Sequence, residues 1–229
     1  MSTQQKFHIV GVAGQANTGK DTVAQYLQSQ WNLAQLAFAT PIKSALCAMF
    51  GVGDEVWDTR EIKEAPVDIA GVTQSWRDLA KSLGTEWGRN LIGEALWVNL
   101  GFHQVESINR DREFYEANNL STDFWHGVVF SDVRYPDEGE RILKQGGKLI
   151  YLTRPGFNKE ATHASENLQW AEDVWQRRDL GQVAKIINDG TLEQLFEAVA
   201  DAMRLFGVPE YTGFECAPPA DYASIVGSN

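Results

Sequence analysis

Residues 7–22 read FHIVGVAGQANTGKDT, an apolar run that passes directly into a loop bounded by glycines. The apolar run at 7–13 predicts a short buried strand, and residues 18–30 predict a helix. Between them, Gly14 to Lys20 fits the G-x-x-x-x-G-K pattern of loops that bind phosphate. The pattern is not decisive by itself, but a strand before it and a helix after it are the context that such a loop requires.

The loop has the groups that phosphate binding needs. Glycines allow backbone N–H groups to turn inward around phosphate oxygens, and the helix N-terminus adds partial positive charge. Lys20 supplies a mobile charge for the β and γ phosphates of a nucleotide. The predicted nucleotide-binding residues here are Gly14, Asn17, Thr18, Gly19, Lys20, Asp21 and Thr22.

Three side chains are candidates to hold Mg²⁺ beside those phosphates. Asp132 ends the apolar run GVVFSD, and the ends of parallel strands meet where ligands bind, so its carboxylate suits Mg²⁺. The alternative for Asp132 is an ordinary turn cap. Asp21 stands where the pattern usually has Ser or Thr. Either it acts on the metal, with Thr22 in the hydroxyl role, or it only stabilises the helix N-terminus; the sequence leaves both open.

Alternating strands and helices define the fold class. Further strands are predicted at 33–39, 127–130, 147–153 and 183–187, and helices at 41–50, 136–145 and 191–206. This order predicts an α/β fold with a parallel sheet covered by helices on both faces. Residues 51–71 are charged and irregular, which predicts an exposed insertion.

Residues 75–91 predict a further helix, capped by Ser75. Its apolar stripe comprises Trp76, Ala80, Leu83, Trp87 and Leu91, and its neighbouring stripe comprises Arg77, Lys81, Gly84 and Gly88. Glycine inside a helix costs about 1 kcal/mol relative to alanine. Two glycines therefore indicate a close approach, either by a ligand or by another helix, or a helix break at Gly84.

Composition excludes several classes of function. The 229 residues include 20 Lys and Arg against 31 Asp and Glu, a net charge of −11, which argues against a dedicated binder of duplex DNA or anionic membranes. The 43% hydrophobic content supports a sizeable core in one domain with a small insertion. Cys47 and Cys216 lie far apart, which argues against a disulfide framework or structural zinc and favours a reducing cytosol.

Seven segments together resemble the bacteriophage-type deoxynucleoside monophosphate kinases, of the P-loop nucleoside monophosphate kinase fold. The resemblance covers about residues 7–206, with Thr40 where an acid is expected and Asp137 where Asn is expected. The matching segments are GQANTGKDT at 14–22, FATPIK at 38–43, Arg77 with LGTEWGR at 83–89, LWV at 96–98, SDVRYPDE at 131–138, HASE at 163–166 and INDGT at 187–191.

The resemblance implies a three-layer α/β/α P-loop fold with a central, mostly parallel five-stranded sheet. It implies a kinase domain at 1–207, with a helical acceptor-binding region at about 41–125, a lid at about 154–180 and a tail at 208–229. It also implies transfer of the ATP γ-phosphate to a deoxynucleoside monophosphate, with Mg²⁺. The implied catalytic residues are Lys20, Arg77, Arg89, Asp132 and Arg134; Asn188 joins the nucleotide-binding set, and Lys43, Arg77, Lys81, Arg89, Arg134 and Arg154 bind the acceptor.

Several candidates have a plainer alternative. Arg134 is a bidentate donor suited to phosphate, but it could instead pair with Asp137 or Glu138. Lys43 could be an exposed helix lysine. For the whole chain, the alternatives are another small-molecule P-loop kinase, resembling dephospho-coenzyme A kinase, or a non-catalytic nucleotide-binding protein. The expected partners are nucleotides, without nucleic acid polymer or membrane, in the host cytoplasm if the chain is phage-encoded; family analogy allows a homodimer.

Overall fold

The computed structural model describes residues 6–118, 124–156, 168–177 and 181–211. The chain divides into two compact units, one formed by residues 1–36 with 104–229 and the other by residues 37–103. The helices are α1 (Lys20–Trp31), α2 (Thr40–Phe50), α3 (Arg60–Glu64), α4 (Trp76–Lys81), α5 (Leu96–Asn118), α6 (Pro136–Lys144), α7 (Gln169–Gln176) and α8 (Leu192–Leu205), with a 3₁₀ turn at Asp54–Trp57 and a π-helix at Ser82–Ile92.

The first unit is built on a five-stranded sheet. Its strands are β1 (His8–Gly14), β2 (Leu33–Leu36), β3 (Gly127–Val133), β4 (Lys148–Thr153) and β5 (Val183–Ile187), in the order β2-β3-β1-β4-β5. Every pairing is parallel, with Val10 opposite Val129 and Gly11 opposite Leu149. The predicted parallel sheet is confirmed, and β1 lies at its centre, between β3 and β4.

Alternate residues of the central strands define two helical layers. Val10 and Val12 are fully buried in a cluster that includes residues of α1 and α8. On the other face, a Cβ on Gly11 would lie 2.6 Å from Ile142 of α6, so the missing side chain lets α6 approach the sheet. Helices on both faces of a parallel sheet make the three-layer α/β/α P-loop architecture that the sequence predicts.

The second unit has its own hydrophobic core, and the prediction that residues 51–71 form an exposed irregular insertion is wrong in part. The segment contains the 3₁₀ turn and α3, and Val56, Trp57 and Val67 are buried in the core with Trp76. The indole N–H of Trp57 donates to Cys47 Sγ at 3.2 Å. The composition of the segment is dominated by charged residues and therefore predicts exposure. A few large apolar side chains are nevertheless enough to anchor a short segment to a core.

The helix predicted at 75–91 starts as expected but changes its winding. Ser75 caps α4, where its Oγ accepts from Asp78 N at 3.1 Å. From Ser82 the chain is a π-helix, whose i→i+5 bonds change the face on which each residue lies. The predicted apolar stripe is therefore wrong at its end, since Trp87 is 46% exposed and Leu91 72% exposed.

Gly84 and Gly88 are buried instead, because neighbouring side chains leave little room for a Cβ at either position; at Gly84 a Cβ would lie 2.9 Å from Ile42. A Cβ on Gly88 would lie 2.4 Å from the Trp97 ring, and Trp97 Nε1 donates to Gly84 O at 2.7 Å. Of the alternatives open at the sequence level, close packing within the protein accounts for both glycines.

No helix among the described residues is both long enough and apolar enough to cross a bilayer.

Candidate active site

The loop between β1 and α1 has the conformation that phosphate binding requires. Asn17 and Gly19 adopt left-handed φ angles of 64° and 99°. At Gly14 a Cβ would lie 2.7 Å from both Leu152 O and Thr18 Oγ1, so only glycine fits there. The loop backbone therefore curves tightly into α1, and successive N–H groups in such a turn form a concave anion site.

The start of α1 adds to this site. Gly19 occupies the N-cap position and has no side chain with which to cap the helix, while Gly19 O accepts from Val23 N at 3.0 Å. N–H groups in the first turn of a helix have no partner within the helix, and the helix dipole favours an anion there.

Lys20 lies inside the loop. Its Nζ donates to Gln15 O at 2.7 Å, and the same carbonyl accepts from Thr18 Oγ1 at 2.8 Å. Burial, together with the charge of Arg134, lowers the pKa of Lys20 to about 8, although the charges of Asp21 and Asp132 raise it. The ammonium group is thus held in a partly desolvated position, where a bound phosphate would stabilise its charge.

Asp132 and Arg134 lie at the carboxyl end of β3, which runs three residues further than predicted, to Val133. Asp132 is half-buried, and Arg134 is exposed. Glu138, one of the two alternative partners for the Arg134 side chain, accepts with Oε2 from the backbone N–H of Arg134 at 2.6 Å and of Tyr135 at 2.9 Å. The carboxyl group of Glu138 therefore binds the main chain of this segment.

The sequence did not single out Glu138. It is 4% exposed, and burial together with the charge of Asp132 raises its pKa to about 8. The sequence did contain a signal for its contacts. Pro136 is typical of the first position of a helix, and Glu138 is then the third residue of α6, from which a glutamate side chain reaches back to backbone N–H groups.

Two residues from the ends of β4 and β5 contact the phosphate loop. Asn188 Nδ2 donates to Thr18 O at 2.9 Å, and Arg154 Nη1 lies 3.5 Å from Asn17 O. The fold thus brings Asn188 to the phosphate loop, while its role in nucleotide binding stays a prediction. The contact of Arg154 is with this same loop, although the sequence analysis assigned Arg154 to the acceptor.

Four of the predicted acceptor residues lie in the second unit. Arg77 Nη1 forms an exposed ion pair with Glu64 Oε1 at 3.1 Å. Lys43 Nζ lies 5.8 Å from the centroid of the Trp57 ring, within the range of a cation–π contact. Lys81 is exposed at the end of α4, and Arg89 is half-buried in the π-helix.

The side chains beside the phosphate loop suit a Mg²⁺ ion that is also coordinated by the phosphates of a nucleotide. Within residues 6–118, 124–156, 168–177 and 181–211, no three His, Cys, Asp or Glu side chains cluster to hold a metal ion. At phosphate sites Mg²⁺ uses one or two carboxylates, water and the phosphates themselves. The half-buried Asp132, with Asp21 and Thr22 in the first turn of α1, is a donor set of this kind.

Parts of the predicted lid and the predicted tail lie outside the described residues. These parts are residues 157–167, which include Lys159, His163 and Glu166, residues 178–180, which include Arg178, and residues 212–229. Arg177 is described, and its Nε donates to Asp173 O at 3.3 Å.

Comparison with known proteins identifies the family. No protein-family model matches the chain. A protein of Acanthamoeba polyphaga mimivirus, whose name is that of a deoxynucleotide monophosphate kinase, is 30% identical over 194 residues, which are 83% of this chain and 93% of that protein. The deoxynucleotide monophosphate kinase of Enterobacteria phage T4 is 24% identical over 194 residues, 78% of this chain and 71% of that protein.

Among solved structures, shikimate kinase from Bacteroides thetaiotaomicron is matched at 12% identity with a TM-score of 0.38, over 87% of this chain and 98% of that chain. The family assignment depends on the mimivirus relative, which is matched along almost its whole length. The phosphate loop that follows β1 and the parallel sheet are consistent with this assignment. The chain belongs to the deoxynucleotide monophosphate kinase family.

Proposed function

We propose that this protein transfers the γ-phosphate of ATP to a deoxynucleoside monophosphate, which yields a deoxynucleoside diphosphate and ADP. The observation that carries the proposal is the phosphate loop of a family member, with Lys20 held inside it at 2.7 Å from Gln15 O. Phosphoryl transfer requires positioning and neutralisation of charge rather than a covalent nucleophile from the protein.

ATP binding falls to the loop and the first turn of α1. The backbone N–H groups from Gly14 to Lys20 surround the β and γ phosphates, and Lys20 exchanges its carbonyl contact for phosphate oxygens. Because Lys20 is already partly desolvated, little water has to be displaced when the phosphate arrives, and the ammonium charge is available for the transition state. Asn188 supports the loop through Thr18 O.

The metal requirement involves three residues. Thr22, Asp21 and Asp132 would hold Mg²⁺, which would supply neutralisation of the phosphate charge. For Asp21 we retain both roles, with the metal or with the helix N-terminus, because the residue is exposed in the first turn of α1.

The acceptor monophosphate and the transition-state charge are assigned to cationic residues. These residues are Lys43, Arg77, Lys81, Arg89 and Arg134. Arg77 already holds a carboxylate, Glu64, with a geometry that a phosphate oxygen can take over. Arg154, which contacts Asn17 O, is better assigned to the ATP side of the reaction than to the acceptor.

We further propose that the protein acts in the cytoplasm on nucleotides alone. The net charge of −11 disfavours a nucleic acid polymer, but it does not exclude a small anion that is held by a few local cations. The helical region 41–125, the lid 154–180 and self-association as a homodimer remain predictions of the same proposal.

A coupled assay of ADP release with ATP, Mg²⁺ and a panel of deoxynucleoside monophosphates tests the function. We expect at least one monophosphate to raise ADP release well above the rate with ATP alone. Dephospho-coenzyme A in a parallel reaction tests for the other kind of small-molecule kinase. If no acceptor raises the rate while ATP still binds, the protein is a nucleotide-binding protein and the proposed transfer is refuted.

A further inference from the structure

Two residues without an assigned function, Glu138 and Trp170, bind the backbone N–H and the carbonyl of Arg134. Its N–H donates to Glu138 Oε2 at 2.6 Å. Its carbonyl accepts from the indole N–H of Trp170 at 3.1 Å. Arg134 itself is exposed, so these two hydrogen bonds fix the backbone from which its long side chain extends.

Both partners are anchored independently of Arg134. Glu138 is buried in α6 and also accepts from Tyr135 N at 2.9 Å. Trp170 lies in α7, and its ring packs so closely on α6 that a Cβ on Gly139 would lie 2.3 Å from it. The absence of a side chain at Gly139 therefore permits the indole to reach the carbonyl of Arg134.

We propose that Glu138 and Trp170 are positioning residues that hold Arg134 for phosphoryl transfer. This inference rests on the proposed function and on the assignment of Arg134 to the transferred or accepted phosphate. The two side chains act through the backbone of Arg134. They act by limiting where the guanidinium can go, since a misplacement of about 1 Å can cost about 100-fold in rate.

Two substitutions test the role of Glu138. Glu138→Met removes the acceptor oxygen at similar size, and we expect kcat to fall by about 10- to 100-fold while KM for ATP stays within about twofold. Glu138→Gln keeps an oxygen that can accept both N–H groups, and we expect it to retain most of kcat. Gln194→Met is the matched control, because Gln194 accepts from Thr191 N at 2.8 Å at the same helix position in α8; its kcat should not change.

Trp170→Phe tests the other side. Phenylalanine keeps an aromatic ring against Gly139 but cannot donate to Arg134 O, and the loss of one neutral hydrogen bond corresponds to about a 3- to 10-fold fall in kcat. Urea unfolding of every variant shows that the enzyme assayed is folded. The decisive measurement repeats Glu138→Met and Trp170→Phe in an Arg134→Ala background, where neither should lower kcat further.

Three results would overturn the inference. The first is an unchanged kcat in folded Glu138→Met and Trp170→Phe. The second is an equal fall in kcat with Arg134 present or replaced, which would show that both residues act elsewhere. The third is wild-type kcat in Arg134→Ala, which removes the residue they are proposed to position while the kinase function stands. Failure of the proposed function itself looks different, because the unmodified protein would then transfer phosphate to no deoxynucleoside monophosphate.

Discussion

Replacing Lys20 with methionine should abolish phosphoryl transfer and at the same time stabilise the nucleotide-free protein at pH 7. Lys20 carries its charge in a partly desolvated loop, and burial lowers its pKa from 10.5 to about 8. Methionine has a similar length and no charge, so it removes both the ligand for phosphate and the cost of burying an ammonium group.

The magnitude follows from the two pKa values. The difference between 10.5 and about 8 corresponds to about 3 kcal/mol of unfavourable free energy for the charged form in the folded state. Loss of the hydrogen bond from Nζ to Gln15 O offsets about 1 kcal/mol. Gln15 O still accepts from Thr18 Oγ1 at 2.8 Å, so the carbonyl keeps a partner. We expect the free energy of unfolding at pH 7 to rise by about 1–2 kcal/mol.

The pH dependence has a definite sign. Between pH 8 and 10.5 the unfolded chain holds a proton on Lys20 that the folded protein has released, so wild-type stability rises with pH across this window. Below pH 8 both states are protonated, and the full cost is present. The advantage of Lys20→Met should therefore be largest at pH 7 and should shrink as the pH approaches 10.5.

Urea unfolding at several pH values and the coupled ADP assay measure both effects. Lys144→Met is the control, because Lys144 is exposed and forms only a surface pair with Glu140; it should change stability little at any pH. Transfer should fall at least about 100-fold in Lys20→Met, as when a donor to a transition-state oxyanion is removed. A variant less stable than wild type at pH 7, or a gain that does not shrink with pH, would refute the electrostatic argument, and near-normal turnover would remove Lys20 from the reaction.

Three further predictions follow from single contacts. Gly88→Ala should destabilise the protein by about 1–3 kcal/mol in urea unfolding, because its Cβ would lie 2.4 Å from the Trp97 ring; an unchanged midpoint would contradict this packing. Asn188→Ala should raise KM for ATP about 3- to 10-fold through loss of the bond to Thr18 O, and a change confined to the KM of the monophosphate would exclude that role. Glu138→Gln should gain stability relative to wild type as pH rises from 4.5 to 8, because burial raises the pKa of Glu138 to about 8 and wild-type stability falls across this window; an equal difference in unfolding free energy at pH 5 and pH 8 would count against the raised pKa.

Local features were predictable because a few consecutive residues specify them. The G-x-x-x-x-G-K spacing, the apolar run before it and the helix after it identify the phosphate loop without any distant contact. Ser75 and Thr191 mark helix starts through side chains that reach a backbone N–H three residues ahead. Among the candidate site residues, the loop pattern alone singled out Lys20, whereas Asn188 entered the nucleotide-binding set through the family resemblance.

Features that depend on distant partners were decided only by the tertiary structure. The π-helix at Ser82–Ile92 accompanies the packing of Trp97 on Gly88, and the spacing of apolar residues in the sequence does not predict it. Two hydrogen bonds of the site join residues on different elements: Trp170 donates to Arg134, and Asn188 donates to Thr18. The burial of Glu138 also depends on how these elements pack. Sequence periodicity reports which residues avoid water, because that preference is local; which side chains then meet depends on how strands and helices stack, and only the assembled sheet determines that order.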